Sequence, residues 1–137
     1  MQRKLARENA FMIIFESICK KDETAEEIFA KATQVRGLEF DDYVRQVFFG
    51  AYENAERIDG YIEKNLTGWK KTRITPISMA ILHLACYEML FLPEIPCLVS
   101  INEAIELSKK FDDDKSYTFV NGVLNAIAKQ VSEEKND

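Results

Sequence analysis

Apolar residues recur at helical spacing along nearly the whole chain. Phe11, Ile14, Phe15 and Ile18 stand at i, i+3, i+4 and i+7, which predicts a first helix over about residues 3 to 20. Asp22 or Thr24 can cap a short second helix with the stripe Ile28, Phe29, Ala32 and Val35, and Gly37 ends it. Asp41 and Asp42 fall at the dipole-positive start of a long third helix. Its stripe is Val44, Val47, Phe48, Ala51, Ala55, Ile58, Ile62 and Leu66. Gly50 and Gly60 lie inside it, where each costs about 1 kcal/mol against alanine, so a bend or a close helix contact is expected there.

Gly68-Trp69 opens a link, and Thr75-Pro76 restarts the chain with proline at a first helical position. The helix from Ile77 to Leu92 is apolar nearly all round, which places it at the centre of a core. Pro93-Glu94-Ile95-Pro96 stops it. Ser100-Ile-Asn-Glu103 has the form of a capping box and predicts a fifth helix starting there, with Ile101, Ala104, Ile105, Ser108 and Phe111 inward. Asp112 to Ser116 is a loop, and a last helix carries Val120, Val123, Leu124 and Ile127 before a frayed polar tail, Glu133 to Asp137. No segment alternates with period two. The reading is all-α: a single domain over residues 1–137, with an N-terminal helical cluster at about 1–67 and a C-terminal one at about 75–131.

Composition narrows the class. A hydrophobic fraction of 47% with 30% charged residues fits one globular domain and excludes disorder. The run Ile74 to Tyr87 falls short of the roughly 20 residues of a membrane span, and nothing at the N-terminus resembles a secretory signal. Cys19, Cys86 and Cys97 lack CxxC spacing and read as reduced thiols in a cytoplasm, Cys19 and Cys86 as core residues. The net charge of -5 argues against a generic nucleic-acid binder. The charge is segregated, however. Residues 1–21 hold Arg3, Lys4, Arg7, Lys20 and Lys21 against Glu8 and Glu16, a local +3, which leaves -8 for the other 116. A second stretch, Lys64 to Tyr87, carries Lys64, Lys70, Lys71 and Arg73 and no acid, which permits one basic surface on an acidic protein.

Catalytic and metal chemistry find little support. His83 is the only histidine, no ligand spacing completes a metal site around it, and there is no glycine-rich phosphate loop. Asp112 to Asp114 lack the glycine and glutamate of a calcium loop, since Tyr117 and Val123 hold those positions. Glu103 is read as the third residue of the capping box and Glu106 as a solvated or partner-facing charge. Arg3 and Arg7 share a helix face with Lys4 beside them, where the core stripe leaves the bundle. Snorkelling at a helix end and contact with an anion both fit that pattern. Lys115, Ser116 and Tyr117 at a helix start suit a phosphate and a stacked base.

The ordered motifs carry a resemblance. Arg7-Glu8-Asn9-Ala10, Ile58-Asp59 and Leu66-x-x-Trp69 lead to Arg73-Ile74 and then to Ala80-Ile81-Leu82-His83-Leu84-Ala85-Cys86-Tyr87-Glu88. Ile95-Pro96, Ile101-Asn102-Glu103-Ala104-Ile105-Glu106-Leu107 and Phe119-Val120-Asn121-Gly122-Val123-Leu124 follow. From about residue 3 to 130 the chain resembles the NusB family of bacterial transcription antitermination factors. The resemblance implies two small helical bundles of about six to seven helices, no enzymatic activity and no cofactor. It implies a ribosomal protein partner, NusE, a boxA-type single-stranded leader RNA of ribosomal RNA operons, and an RNA polymerase elongation complex with other Nus factors. By matching positions, Arg3, Lys4, Arg7, Arg73, Lys115, Ser116, Tyr117 and Asn121 would contact RNA, and Glu88, Glu103 and Glu106 the protein partner.

Three positions depart from the family pattern: the N-terminal arginine run is short, Phe15 stands where tyrosine is common, and Asp112 replaces a frequent glycine. Two other classes fit a NusB-like domain. One is the RNA-binding N-terminal part of a ribosomal RNA cytosine methyltransferase, which requires a longer native gene. The other is a helical scaffold that binds protein only.

Overall fold

The computed structural model describes residues 1–66 and 68–135, and the described residues form seven α-helices and no strand. These are α1 (Arg3–Cys19), α2 (Ala25–Ala30), α3 (Asp42–Glu53), α4 (Ala55–Lys64), α5 (Pro76–Phe91), α6 (Cys97–Phe111) and α7 (Ser116–Lys135). A π-helical turn, Lys31–Val35, follows α2, and a 3-10 turn, Lys71–Arg73, precedes α5.

α5 is the axis. Ser78 and every residue from Ala80 to Met89 are buried, and α1, α3, α4, α6 and α7 all pack on it. Its start follows from local chemistry. The Thr75 hydroxyl caps the helix by accepting from the Ser78 amide, and Pro76 supplies the first helical residue. The buried side chains form one continuous cluster from Ala6 in α1 to Val131 in α7.

Two helix boundaries inside the chain depart from the sequence pattern, each for a visible reason. The long third helix divides at Asn54, which leaves helical geometry at φ -105° and ψ 19° and whose side-chain amide donates at 2.8 Å to the Gly50 carbonyl that its backbone amide also uses. The two glycines within it behave differently. A Cβ on Gly50 would run into the Tyr87 ring, so α3 and α5 approach closely there, whereas Gly60 faces open space. α6 starts at Cys97 rather than Ser100, because Pro96 presets the entry and its carbonyl accepts from Val99 and Ser100. There is no capping box at Ser100; among the described residues, a capping box joins Thr24 and Glu27 at the start of α2.

The tail also differs. α7 continues through Lys135, held by the Tyr61 hydroxyl donating to Glu134 at 2.7 Å, while Asn136 and Asp137 lie outside the described residues. Val35 is 79% exposed instead of part of the inward stripe, because the π-helical turn shifts it off that face. Gly37 ends that turn at φ 71°, a left-handed conformation that favours glycine. Cys19 is exposed at the end of α1 rather than in the core, whereas Cys86 is fully buried and burial pushes its thiol well above the ordinary range. No described helix is long and apolar enough to cross a membrane.

Candidate nucleic-acid interface

The N-terminal cations divide into two kinds. Arg3 and Lys4 are exposed in the first turn of α1, and the Arg3 guanidinium lies 4.2 Å from the centre of the Tyr43 ring. Arg7 is buried, at 6% exposure, so its expected place at a free helix end is corrected. Its Nε donates to Glu88 Oε2 at 2.8 Å, the Tyr43 hydroxyl donates to the same oxygen, and Ser100 Oγ donates to Oε1 at 2.7 Å. Burial works against the Arg7 charge, but the bond to Glu88 and the charge of Glu88 outweigh it and raise the guanidinium pKa. Burial, then the Glu88 charge, pushes the Tyr43 phenol well above its usual value.

Glu88 is 1% exposed, so it offers no free surface to a partner and its expected role there is also corrected. Its two oxygens are filled by three donors, as a buried carboxylate requires. Glu103 is not a cap. With Glu106 it lines a small groove between α6 and α1 whose other walls include Lys4, Arg7, Glu8 and Lys110. The expected acidic partner side therefore abuts the basic end of α1. Lys110 donates to Glu8 across this groove at 2.7 Å.

The second cationic group surrounds a cleft of roughly 610 Å³. One wall is Trp69, Lys70 and Arg73; the other is Lys115, Ser116 and Phe119. Trp69 is 55% exposed and meets the Phe119 ring edge-on at 4.8 Å. The cleft thus brings together three residues marked by the sequence, Arg73, Lys115 and Ser116. The Ser116 hydroxyl already donates to Asp113 at 2.8 Å, which leaves its oxygen lone pairs for a ligand donor. That bond, with the Lys115 and Ser116 amides, holds the Asp113 carboxyl below the usual carboxylate range.

Tyr117 and Asn121 lie outside the cleft lining, one turn apart on an exposed face of α7. The Asn121 side chain accepts from Asn125 at 2.9 Å. Tyr117 carries the Lys109 ammonium 5.0 Å from its ring centre. Trp69, Lys70, Phe119, Lys109 and Lys110 are not among the RNA contacts that the sequence marks. The acid-free stretch Lys64 to Tyr87 signalled Lys70, but only the fold sets Trp69 on Phe119 and Lys109 on Tyr117.

His83 is structural. Its Nε2 lies 2.9 Å from Asp59 Oδ1, and that bond holds Asp59 below its ordinary pKa. Among the described residues, no group of three or more histidine, cysteine or acidic side chains converges on one point.

The NusB family model matches residues 4–129. The chain belongs to the NusB family. Transcription antitermination protein NusB of Bacillus licheniformis is 45% identical over 127 residues, which cover 93% of this chain and 96% of that protein. The Clostridium acetobutylicum protein of the same name is 39% identical and is covered completely, with 98% of this chain. Thermotoga maritima NusB superposes with a TM-score of 0.84 at 33% identity, covering 99% of this chain and 97% of that one. A chain from a structure of antitermination factors NusB and NusE with double-stranded RNA gives 0.80 at 30% identity, with 93% and 96% covered. These NusB names denote a transcription factor and not an enzyme, and this chain is a non-enzymatic, all-α member of the family.

Proposed function

We propose that this chain is a cytoplasmic transcription antitermination factor that binds boxA-type single-stranded leader RNA of ribosomal RNA operons together with NusE. The complex then joins elongating RNA polymerase and other Nus factors and suppresses termination. One observation carries the RNA part: exposed cations and aromatics form a track across the molecule. It runs from Arg3 and Lys4 on α1 past Lys110, which is paired with Glu8, and Lys109 at the end of α6, over Tyr117, to Lys115, Lys70 and Arg73 at the cleft. Glu103 and Glu106 lie along its α6 edge. Asn121 flanks it on α7. Alternating cations and rings fit a single strand, with phosphates on the cations and bases on Tyr117 and Trp69.

The partner follows from charge. A chain at -5 has modest attraction for RNA, and a basic ribosomal protein docked at Glu103 and Glu106 would offset the acidic remainder. Each ligand then raises the affinity for the other by the same factor. The test is a gel shift of a boxA-type single strand with this chain, with NusE, and with both. The expected result is a much tighter complex with both, weakened by Glu106→Lys. Equal RNA affinity with and without NusE would overturn the coupling, and no shift with both proteins present would overturn the RNA reading.

A further inference from the structure

Three consecutive aspartates, Asp112 to Asp114, stand beside the cationic cleft, where charge alone opposes phosphate binding. The bonds of the first assign it a different task. Asp112 Oδ2 accepts from Thr75 Oγ1 at 2.9 Å and from Ser78 Oγ at 2.8 Å, and Oδ1 accepts from the Asp113 amide at 2.9 Å. Thr75 and Ser78 form the first turn of α5, directly after the Lys71–Arg73 turn. Asp113 in turn accepts from the Lys115 and Ser116 amides and opens α7. Among the described residues, the side-chain hydrogen bonds that join the two walls of the cleft are those of Asp112.

The backbone at Asp112 does not demand this residue. Its φ of -120° and ψ of -173° are extended values open to any side chain. What the position uses is the acceptor. Without it, among the described residues, no side-chain hydrogen bond joins the segment bearing Lys70 and Arg73 to the helix start bearing Lys115 and Ser116. What remains there is apolar: the Trp69–Phe119 ring contact and the packing of α5 on α7.

We infer that Asp112 is a positioning residue for RNA binding: its bonds to Thr75 and Ser78 hold Lys70 and Arg73 on one wall of the cleft opposite Lys115 on the other. The inference rests on the RNA-binding reading above. Two effects of removing Asp112 have opposite signs. Losing one screened negative charge several ångströms from the phosphates strengthens binding by about twofold. Losing the tie separates cations that must meet one strand together, which weakens binding by more.

The experiment is fluorescence anisotropy of a labelled boxA-type single strand with NusE and the full chain, across a salt series, with a thermal melt of each variant. Asp112→Ala is expected to weaken binding about five- to tenfold. The slope of log affinity against log salt should shrink by one contact, about 0.7. Asp112→Asn carries the same charge as the alanine variant and keeps a carbonyl oxygen for both hydroxyls while giving up the bond from the Asp113 amide, which lies outside the tie to α5. It is expected to bind within about twofold of the parent. Ser78→Ala removes one donor, changes no charge and should fall between them. It carries the test if Asp112→Ala does not fold. Asp112→Ala binding as tightly as the parent with an unchanged slope, or alanine and asparagine variants of equal affinity, would overturn the inference. So would Ser78→Ala indistinguishable from the parent. A parent chain that binds no RNA with NusE present overturns the RNA reading itself and takes the inference with it.

Discussion

Arg7 and Arg73 both sit in locally basic stretches, yet the fold uses them in opposite ways. Arg7 lies three residues before Ala10 and four before Phe11, so it continues the face of α1 that enters the core. It arrives against Glu88 of the central helix, and Tyr43 and Ser100 complete the donor set. Arg73 lies in a short 3-10 turn, exposed, on a cleft shared with Lys70 and Lys115. A cation packed against a buried carboxylate becomes part of the scaffold, while one without such a partner stays available to an outside phosphate. The contrast teaches that burial and counter-charge decide a basic residue's role, and local charge in the sequence does not.

The largest expected effect tests the scaffold side. Arg7→Ala leaves the Glu88 charge buried beside two neutral hydroxyls and should destabilise the fold by about 3 to 5 kcal/mol in urea unfolding. An unfolding midpoint that does not move would break the contrast at its first term. Next to Glu88, Gly50→Ala forces a methyl into the Tyr87 ring and should cost about 1 to 3 kcal/mol. Gly60→Ala, which faces open space, should stabilise α4 by about 0.5 to 1 kcal/mol. Equal effects at the two glycines would mean that the α3–α5 approach is looser than described.

On the cleft side, Arg73→Ala and Lys115→Ala should each weaken RNA binding by about five- to tenfold. Each should lower the salt slope by about 0.7 and leave the melting temperature nearly unchanged. A variant that melts early without losing RNA affinity would move Arg73 to the scaffold class. The smallest effect concerns pH. Asp59 is held below its ordinary pKa by His83, so its contribution is present above about pH 4 and is lost as pH falls through the depressed value. His83→Ala should flatten that acid limb by less than about 1 kcal/mol, because Asp59 is partly exposed. A parallel acid limb in the variant would show that the pair adds nothing to the fold.

Much of this molecule was readable in one dimension because its causes are local. Thr24, Asp41, Thr75 and Pro76 start helices as their side chains dictate, and the run Ala80 to Met89, apolar but for His83 and Glu88, has no stable place except the centre of a core. What failed in the sequence reading failed where distant residues compete. Ser100 has the spacing of a cap but gives its hydroxyl to Glu88. The periodicity of the third helix runs unbroken through Asn54, yet the backbone turns there and the side chain joins its own amide on the Gly50 carbonyl. Arg3, Lys4 and Arg7 look alike as text, and only the placement of Glu88 and Tyr43 separates them.

The sequence by itself therefore determined the helical class, most of the helix starts, the central helix and the family. Each rests on spacing and capping within a few residues. Tertiary structure decided which charges are free. It sealed Arg7 and Glu88 into one buried pair and set Glu103 and Glu106 against the basic end of α1. It also set Lys70 and Arg73 across one cleft from Lys115 and bonded Asp112 to Thr75 and Ser78 beside it. The physical reason is that a helical repeat records which face is apolar but not which helix lies opposite, and an ionised group's surroundings are set by that opposite helix.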